Sequence, residues 1–285
     1  TRCVPFQDNT CQPLNFPHLP VTPYIAGTRL QRKPCFKHKG ALTTEIADLC
    51  TIPPSRPGHS TVFIAGSSYT HHLTPAFQEL REKLGIGISM LVHPSCDLSP
   101  PPRNKAPRGT CDQSNKVRWD YILKNITPKD VLFTGVTGYS VNRDAVLQIA
   151  ESASRGKFNV VYFTPIPVWK RLSTDVDATC MALSHDDWFR SQIRHECGQT
   201  SQIPRSAYMK QAQDSIAFLD SVQKSNHFFH VYPIHDALCD KEACPSHRNG
   251  VRLYRDNFGH ISLPASKGII GQNLQDFLQA KRLLE

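Results

Sequence analysis

After residue 60, short apolar runs begin to alternate with amphipathic stretches, and this alternation predicts the architecture. The runs are Val62–Ala65, Ile86–Val92, Val131–Thr134, Val160–Thr164 and Phe228–Ile234. Each is apolar at consecutive positions, as expected of strands covered on both faces. Between them lie helical patterns. Pro75–Leu84 follows Thr74 as a cap and carries Phe77, Leu80 and Leu84 at helical spacing. Asn142–Ser154 repeats the pattern with Val146, Leu147 and Ala150, and Tyr208–Val222 does so with Ile216, Leu219 and Val222. Pro264–Leu284 carries Ile269, Ile270, Leu274, Phe277 and Leu278. Five strands alternating with helices predict an α/β fold with a central parallel sheet covered on both faces. Segments 94–116 and 165–205 read as long insertions, and no internal repeat is visible.

Residues 1–58 lack this alternation. They are loop-rich, hold four cysteines and are interrupted by Pro17-His18-Leu19-Pro20 and Ile52-Pro53-Pro54. They are expected to form a disulfide-pinned extension packed on a main domain of residues 59–285. A chain of 285 residues is long enough for a sizeable core, and 22 prolines against 15 glycines suggest long ordered loops. No run approaches the roughly 18 apolar residues that cross a bilayer. The opening Thr1-Arg2-Cys3-Val4-Pro5 does not resemble a signal peptide.

Composition narrows the compartment. Ten cysteines, an even number, lie mostly in loop-like segments and include no C-x2-C pair of the kind that binds zinc. Disulfides in a secreted, lumenal or periplasmic compartment are the expectation. Cys96–Cys111, Cys180–Cys197 and Cys239–Cys244 would close local loops, with the connectivity left open. Asn125-Ile126-Thr127 is an N-glycosylation sequon. The net charge of +9 comes from scattered Lys and Arg, with no basic block longer than two. That pattern argues against nucleic acid and suits anionic glycans or lipid headgroups outside the cell.

In parallel sheets the ligand lies beyond the carboxyl ends of the strands, so the residues after each run carry the chemistry. The first run breaks at Gly66-Ser67-Ser68 and enters a helix. A serine there exposes its hydroxyl beside backbone N–H groups that would face an oxyanion. Ser68 is the candidate nucleophile, and Ser67 the weaker one. Near the other end, Asp256 and His260 precede Pro264 and the last helical pattern, supplying an acid and a general base. His71 and His72 are alternative bases. His230, His235, Asp236 and His247 are close in sequence but lack paired ligand spacing, so neither a metal nor a cofactor is expected.

Phe63-Ile64-Ala65-Gly66-Ser67-Ser68 with Tyr69-Thr70-His71-His72-Leu73 resembles the first block of SGNH/GDSL hydrolases. The likeness is closest to the extracytoplasmic SGNH domains attached to membrane O-acyltransferases. Cys239-x4-Cys244 followed by Leu253-Tyr254-Arg255-Asp256 and His260-Ile261-Ser262 is similar to their closing block. The resemblance covers roughly residues 60 to 280 and implies a flavodoxin-like three-layer α/β/α sandwich. It assigns Ser68 as nucleophile, His260 as base and Asp256 as acid, with Gly135 and Asn142 as oxyanion candidates. It implies an acyl donor, a carbohydrate or lipid acceptor, and a membrane acyltransferase domain as partner. The sequence departs from the pattern in three places, one being that the family's oxyanion blocks have no clear counterpart. Ser67 stands where an aspartate is usual, and four positions rather than three separate Asp256 from His260. These departures point to the rival reading, a catalytically inactive SGNH-fold binding domain.

Overall fold

The computed structural model describes residues 3–5, 11–13, 35, 40–101, 109–168, 202–249, 251–255 and 258–284. Cys3–Pro5 (β1) and Cys11–Pro13 (β2) pair antiparallel. Five parallel strands then build the sheet: β4 (Thr61–Gly66), β5 (Gly87–Val92), β6 (Val131–Gly135), β7 (Asn159–Phe163) and β9 (Phe229–Tyr232). A short strand, β3 (Thr51–Ile52), joins antiparallel to β5, so the sheet is mixed with the order β3-β5-β4-β6-β7-β9. All five predicted strands form, each within a few residues of its apolar run. The added edge strand lies within residues 1–58 and is hydrogen-bonded into the main sheet.

Side chains alternate between the two faces because strand periodicity is two. Val62, Ile64, Met90, Phe133 and Phe163 point into one core, and Phe63, Ala65, Leu91, Leu132 and Tyr162 into the other. The first core is covered by α3 (Thr74–Leu84) and the C-terminal helical segment. The second is covered by α1 (Thr44–Leu49), α4 (Thr110–Asn125) and α5 (Arg143–Gly156). α6 (Arg205–Ser225) reaches both, through Tyr208 and Ala212 at one end and Leu219 and Val222 at the other. The result is the three-layer sandwich with a mostly parallel sheet.

Two predicted elements differ in detail. The segment 94–116 was expected to be an insertion, yet its last residues begin α4. The C-terminal pattern is not one helix. It starts as α8 (Leu263–Ala265), widens into a π-helical turn at Ser266–Ile270 and resumes as α9 (Gly271–Ala280). Between α6 and this segment lie α7 (Ile234–Leu238) and the short β10 (Ala243–Pro245), which pairs with β8 (Gln202–Pro204). The expected disulfides Cys96–Cys111 and Cys239–Cys244 form, and Cys35–Cys50 joins them. Cys180 and Cys197 lie outside the described residues. Each bridge with a separation of 15 residues removes unfolded-chain freedom amounting to about 3 kcal/mol on loop-closure grounds.

One buried cation organises the serine end of the sheet. Arg118 of α4 is fully buried and donates to the carbonyls of Gly66 at 2.8 Å, Cys96 at 3.0 Å and Asp97 at 3.2 Å, and to Asn115 Oδ1. Burial pulls its pKa down to about 9, opposed by the charge of Asp97, so it stays cationic at neutral pH. Removing it would leave several buried acceptors unsatisfied, each costing about 1–3 kcal/mol. Arg118→Met is therefore expected to lower the unfolding free energy by about 3 kcal/mol or more in denaturant titrations. A loss below about 1 kcal/mol would show that the carbonyls find other donors.

Buried or half-buried histidines, His230 and His235 among them, are expected to make the fold acid-sensitive. His230 sits beside Asn159, 3.2 Å from its Oδ1, and burial lowers its pKa to about 4. His235 bonds Thr164 Oγ1 at 2.8 Å and is likewise lowered, chiefly by burial. The unfolded chain takes up these protons near pH 6.5, whereas the folded chain resists them until lower pH. The contribution of His230 is thus complete above about pH 6.5 and is lost as pH falls toward about 4, and that of His235 is lost in the same direction. Urea unfolding should show stability declining across that window, with a shallower decline in His230→Gln. An unchanged slope in the variant would assign the acid sensitivity elsewhere.

Candidate active site

The serine turn stands where the sheet changes direction. β4 has β5 on one side and β6 on the other, so the connections leave it in opposite directions and a crevice opens beyond its carboxyl end. Gly66 ends β4, Ser67 is extended at φ −92° and ψ −166°, and Ser68 begins the one-turn helix α2 (Ser68–His71). Gly66 has no room for a side chain, since a Cβ would lie 2.3 Å from Thr70 Oγ1. A helix of one turn has little stability of its own, so the serine depends on tethers from its neighbours. The Gly66 carbonyl accepts from His93 N at 2.9 Å and from Arg118. Ser67 Oγ lies 2.6 Å from Thr137 Oγ1, which in turn lies 2.5 Å from Asp97 Oδ1.

The histidine arrives on a closed loop. Tyr254 and Ile261 form an antiparallel bridge, Arg255 N donates to His260 O at 2.7 Å, and Ser262 N donates to Leu253 O at 2.9 Å. The Ser262 hydroxyl donates to the Arg252 carbonyl and accepts from Ala265 N at 3.2 Å, capping α8. Gly259 takes φ +89°, and a Cβ there would lie 2.6 Å from the Pro167 carbonyl oxygen, so glycine is required. The Tyr69 hydroxyl donates to the Phe258 carbonyl. This loop brings His260 Nε2 to 3.0 Å from Ser68 Oγ, across 192 residues of sequence.

Two rings pack against that imidazole. The His260 centroid lies 4.8 Å from that of Tyr69 and 4.2 Å from that of His72, the latter edge-on. His72 is buried, and burial, followed by the charge of His260, holds its pKa well below the ordinary value. It is neutral at neutral pH and adds no positive charge beside His260. Ser68 and His260 are both half-buried, open to solvent on one side. The arrangement is that of a hydroxyl with a base in hydrogen-bond reach.

The other candidates take different places. Asp256 lies outside the described residues. Gly135 closes β6 beneath the Phe163 ring, and the exposed Asn142 caps α5 by accepting from Ala145 N at 3.2 Å. The residue of that loop that reaches the serine turn is Thr137. His71 is buried with its ring 5.9 Å from that of His72. His230 and His247 face Asn159 and Ser246, while His235 bonds Thr164 and lies 3.4 Å from Asp236 Oδ1, which Arg205 also engages at 2.6 Å. Among the described residues the cluster with ligand spacing is His93, Cys96 and Cys111, whose two sulfurs are joined in a disulfide. Asn125 is exposed at the end of α4. Sequence reasoning missed Thr137, Asp97 and Arg118. Thr137 lay between the candidates Gly135 and Asn142, whereas Asp97 and Arg118 carried no local signal.

These features can be set beside known proteins. The sequence matches the family described as SGNH domain (fused to AT3 domains) over residues 34–272. No curated protein matches the chain. Among solved structures, the periplasmic domain of a lipopolysaccharide acetyltransferase from Salmonella ser. Paratyphi A is similar, with a TM-score of 0.53 and 15% identity. The likeness covers 86% of this chain and 91% of that one and bears on the fold. The family match spans the sheet, the serine turn and the histidine loop, and it assigns the chain, which belongs to the SGNH domains of the kind described as fused to AT3 domains.

Proposed function

We propose that this chain is an extracytoplasmic, serine-dependent acyl-ester enzyme that transfers or hydrolyses an O-acyl group, such as acetyl, on a carbohydrate or lipid hydroxyl. The observation that carries the reading is the 3.0 Å contact between Ser68 Oγ and His260 Nε2 at the switch point of the sheet. Nε2 takes the hydroxyl proton as Oγ attacks the acyl carbonyl. Collapse of the tetrahedral intermediate breaks the ester C–O bond, and His260 returns the proton to the departing alcohol. An acceptor hydroxyl, or water, then attacks the acyl-serine with His260 again as base, releasing the new ester or acid and restoring Ser68. Asp256, four residues before His260, is assigned as the acid that orients the imidazole. The oxyanion is assigned to backbone N–H groups at the serine turn, which lack intrahelical partners and receive no side-chain cap from Ser67. Asn142 is already engaged as a helix cap and is given no such role.

Family membership supports acyl chemistry, and the family description supports a membrane acyltransferase domain as the partner that supplies the acyl group. No helix among the described residues is long and apolar enough to cross a membrane. Three disulfides support an oxidising compartment. The solved relative is described as periplasmic, in keeping with that assignment. The exposed Asn125 would be glycosylated in a eukaryotic secretory route.

A serine-reactive fluorophosphonate probe tests the reading. The folded chain is expected to label, Ser68→Ala to abolish labelling, and His260→Ala to slow it about a hundredfold or more. Folded protein that does not label would favour the rival, an SGNH-fold binding domain in which Ser67 and the longer Asp256-to-His260 spacing reflect lost catalysis.

A further inference from the structure

We infer that Asp97, acting through Thr137, is a positioning residue for the nucleophile turn, an inference that rests on the acyl-serine reading of Ser68. The geometry is directional. Asp97 Oδ1 lies 2.5 Å from Thr137 Oγ1, and its Oδ2 accepts from Thr137 N at 3.1 Å. An ionised carboxylate only accepts, so the threonine hydroxyl hydrogen is committed to Asp97. At the 2.6 Å contact between Thr137 and Ser67, the donor must therefore be Ser67. The chain runs one way, from Ser67 to Thr137 to Asp97, and ends on a charge that strengthens it.

The polarity has a consequence for Ser67. A serine at a helix N-cap ordinarily accepts from the N–H two or three residues on. Ser67 is the N-cap of α2 and is 1% exposed, yet it makes no such bond. Its hydroxyl is turned toward the β6 loop instead. Residue 67 is thereby fixed between β4 and α2, one residue before Ser68. The other tether on this turn, Arg118, holds the Gly66 carbonyl and also the carbonyls of Cys96 and Asp97. The same guanidinium thus positions both the turn and the loop that carries the carboxylate. The disulfide Cys96–Cys111 fixes that loop to the first turn of α4. The β4, β5 and β6 loops are joined at one point, and Ser68 Oγ is aimed from it at His260 Nε2.

The role is separable from stability because Thr137 is exposed and Asp97 only partly buried. The test uses the fluorophosphonate probe on the full chain, separating the maximal inactivation rate from the probe's apparent affinity, with thermal melting alongside. Thr137→Val is expected to slow inactivation about tenfold at unchanged affinity and melting temperature, the signature of a displaced nucleophile. Thr137→Ser should restore the rate to within about twofold. Asp97→Asn should slow it too, and the double variant Asp97→Asn with Thr137→Val should lose no more than Thr137→Val alone, since the two act in one chain. Normal labelling by Thr137→Val beside a labelling parent would overturn this inference alone, as would a loss that Thr137→Ser does not restore. A parent chain that does not label would overturn the serine chemistry and this inference with it.

Discussion

The guanidinium of Arg118 lies fully buried among the carbonyls of Gly66, Cys96 and Asp97, and the geometry around Ser68 depends on that arrangement. A buried charge without a close carboxylate partner costs several kcal/mol of desolvation unless hydrogen bonds replace water. Here the replacements are backbone carbonyls at the ends of two adjacent strands, with Asn115 Oδ1 as a further acceptor. The cation therefore stabilises the loops only when β4, β5 and α4 are correctly placed, and its two terminal nitrogens find their acceptors only then. This mutual requirement fixes the carboxyl edge of the sheet. Ser68, on a helix of one turn, inherits its position from it.

The histidine reaches the same edge by a different route. Its loop is closed by its own backbone bridge, by the Ser262 hydroxyl and by the Tyr69 hydroxyl on the Phe258 carbonyl. Tyr69 lies one residue past Ser68, so the segment carrying Ser68 also grips the loop carrying His260. Gly259, at positive φ, packs against the Pro167 carbonyl one residue before the imidazole that reaches Ser68. One departure from the family pattern, Ser67 in place of an aspartate, coincides with a hydroxyl chain that ends on the carboxylate of Asp97.

Much of this was legible in the sequence, for physical reasons. Strands buried on both faces must be apolar at consecutive positions, so Val62–Ala65 and its counterparts stood out. Ser68 and His260 were readable because each follows or precedes an element in a motif with a known geometry. α4 was not read as a helix, because its inward face carries Ser114, Asn115 and Arg118 beside Trp119 and Ile122, which breaks the apolar period. β3 has two residues, too few for any period to register. The π-helical turn left the apolar spacing of the last helix nearly intact and was invisible for that reason. Thr137 and Asp97 are single polar residues in loops, and only the fold brings them to Ser67.

The central claim is that Ser68 carries the acyl group between donor and acceptor. Brief incubation with an activated acetyl ester, acid quenching and peptide mass mapping tests it most directly. The account predicts an acetyl adduct on Ser68 that is lost on adding a competent acceptor hydroxyl, or more slowly in water. Turnover of the ester with the adduct on another residue, or with none trapped under any quench, would contradict it.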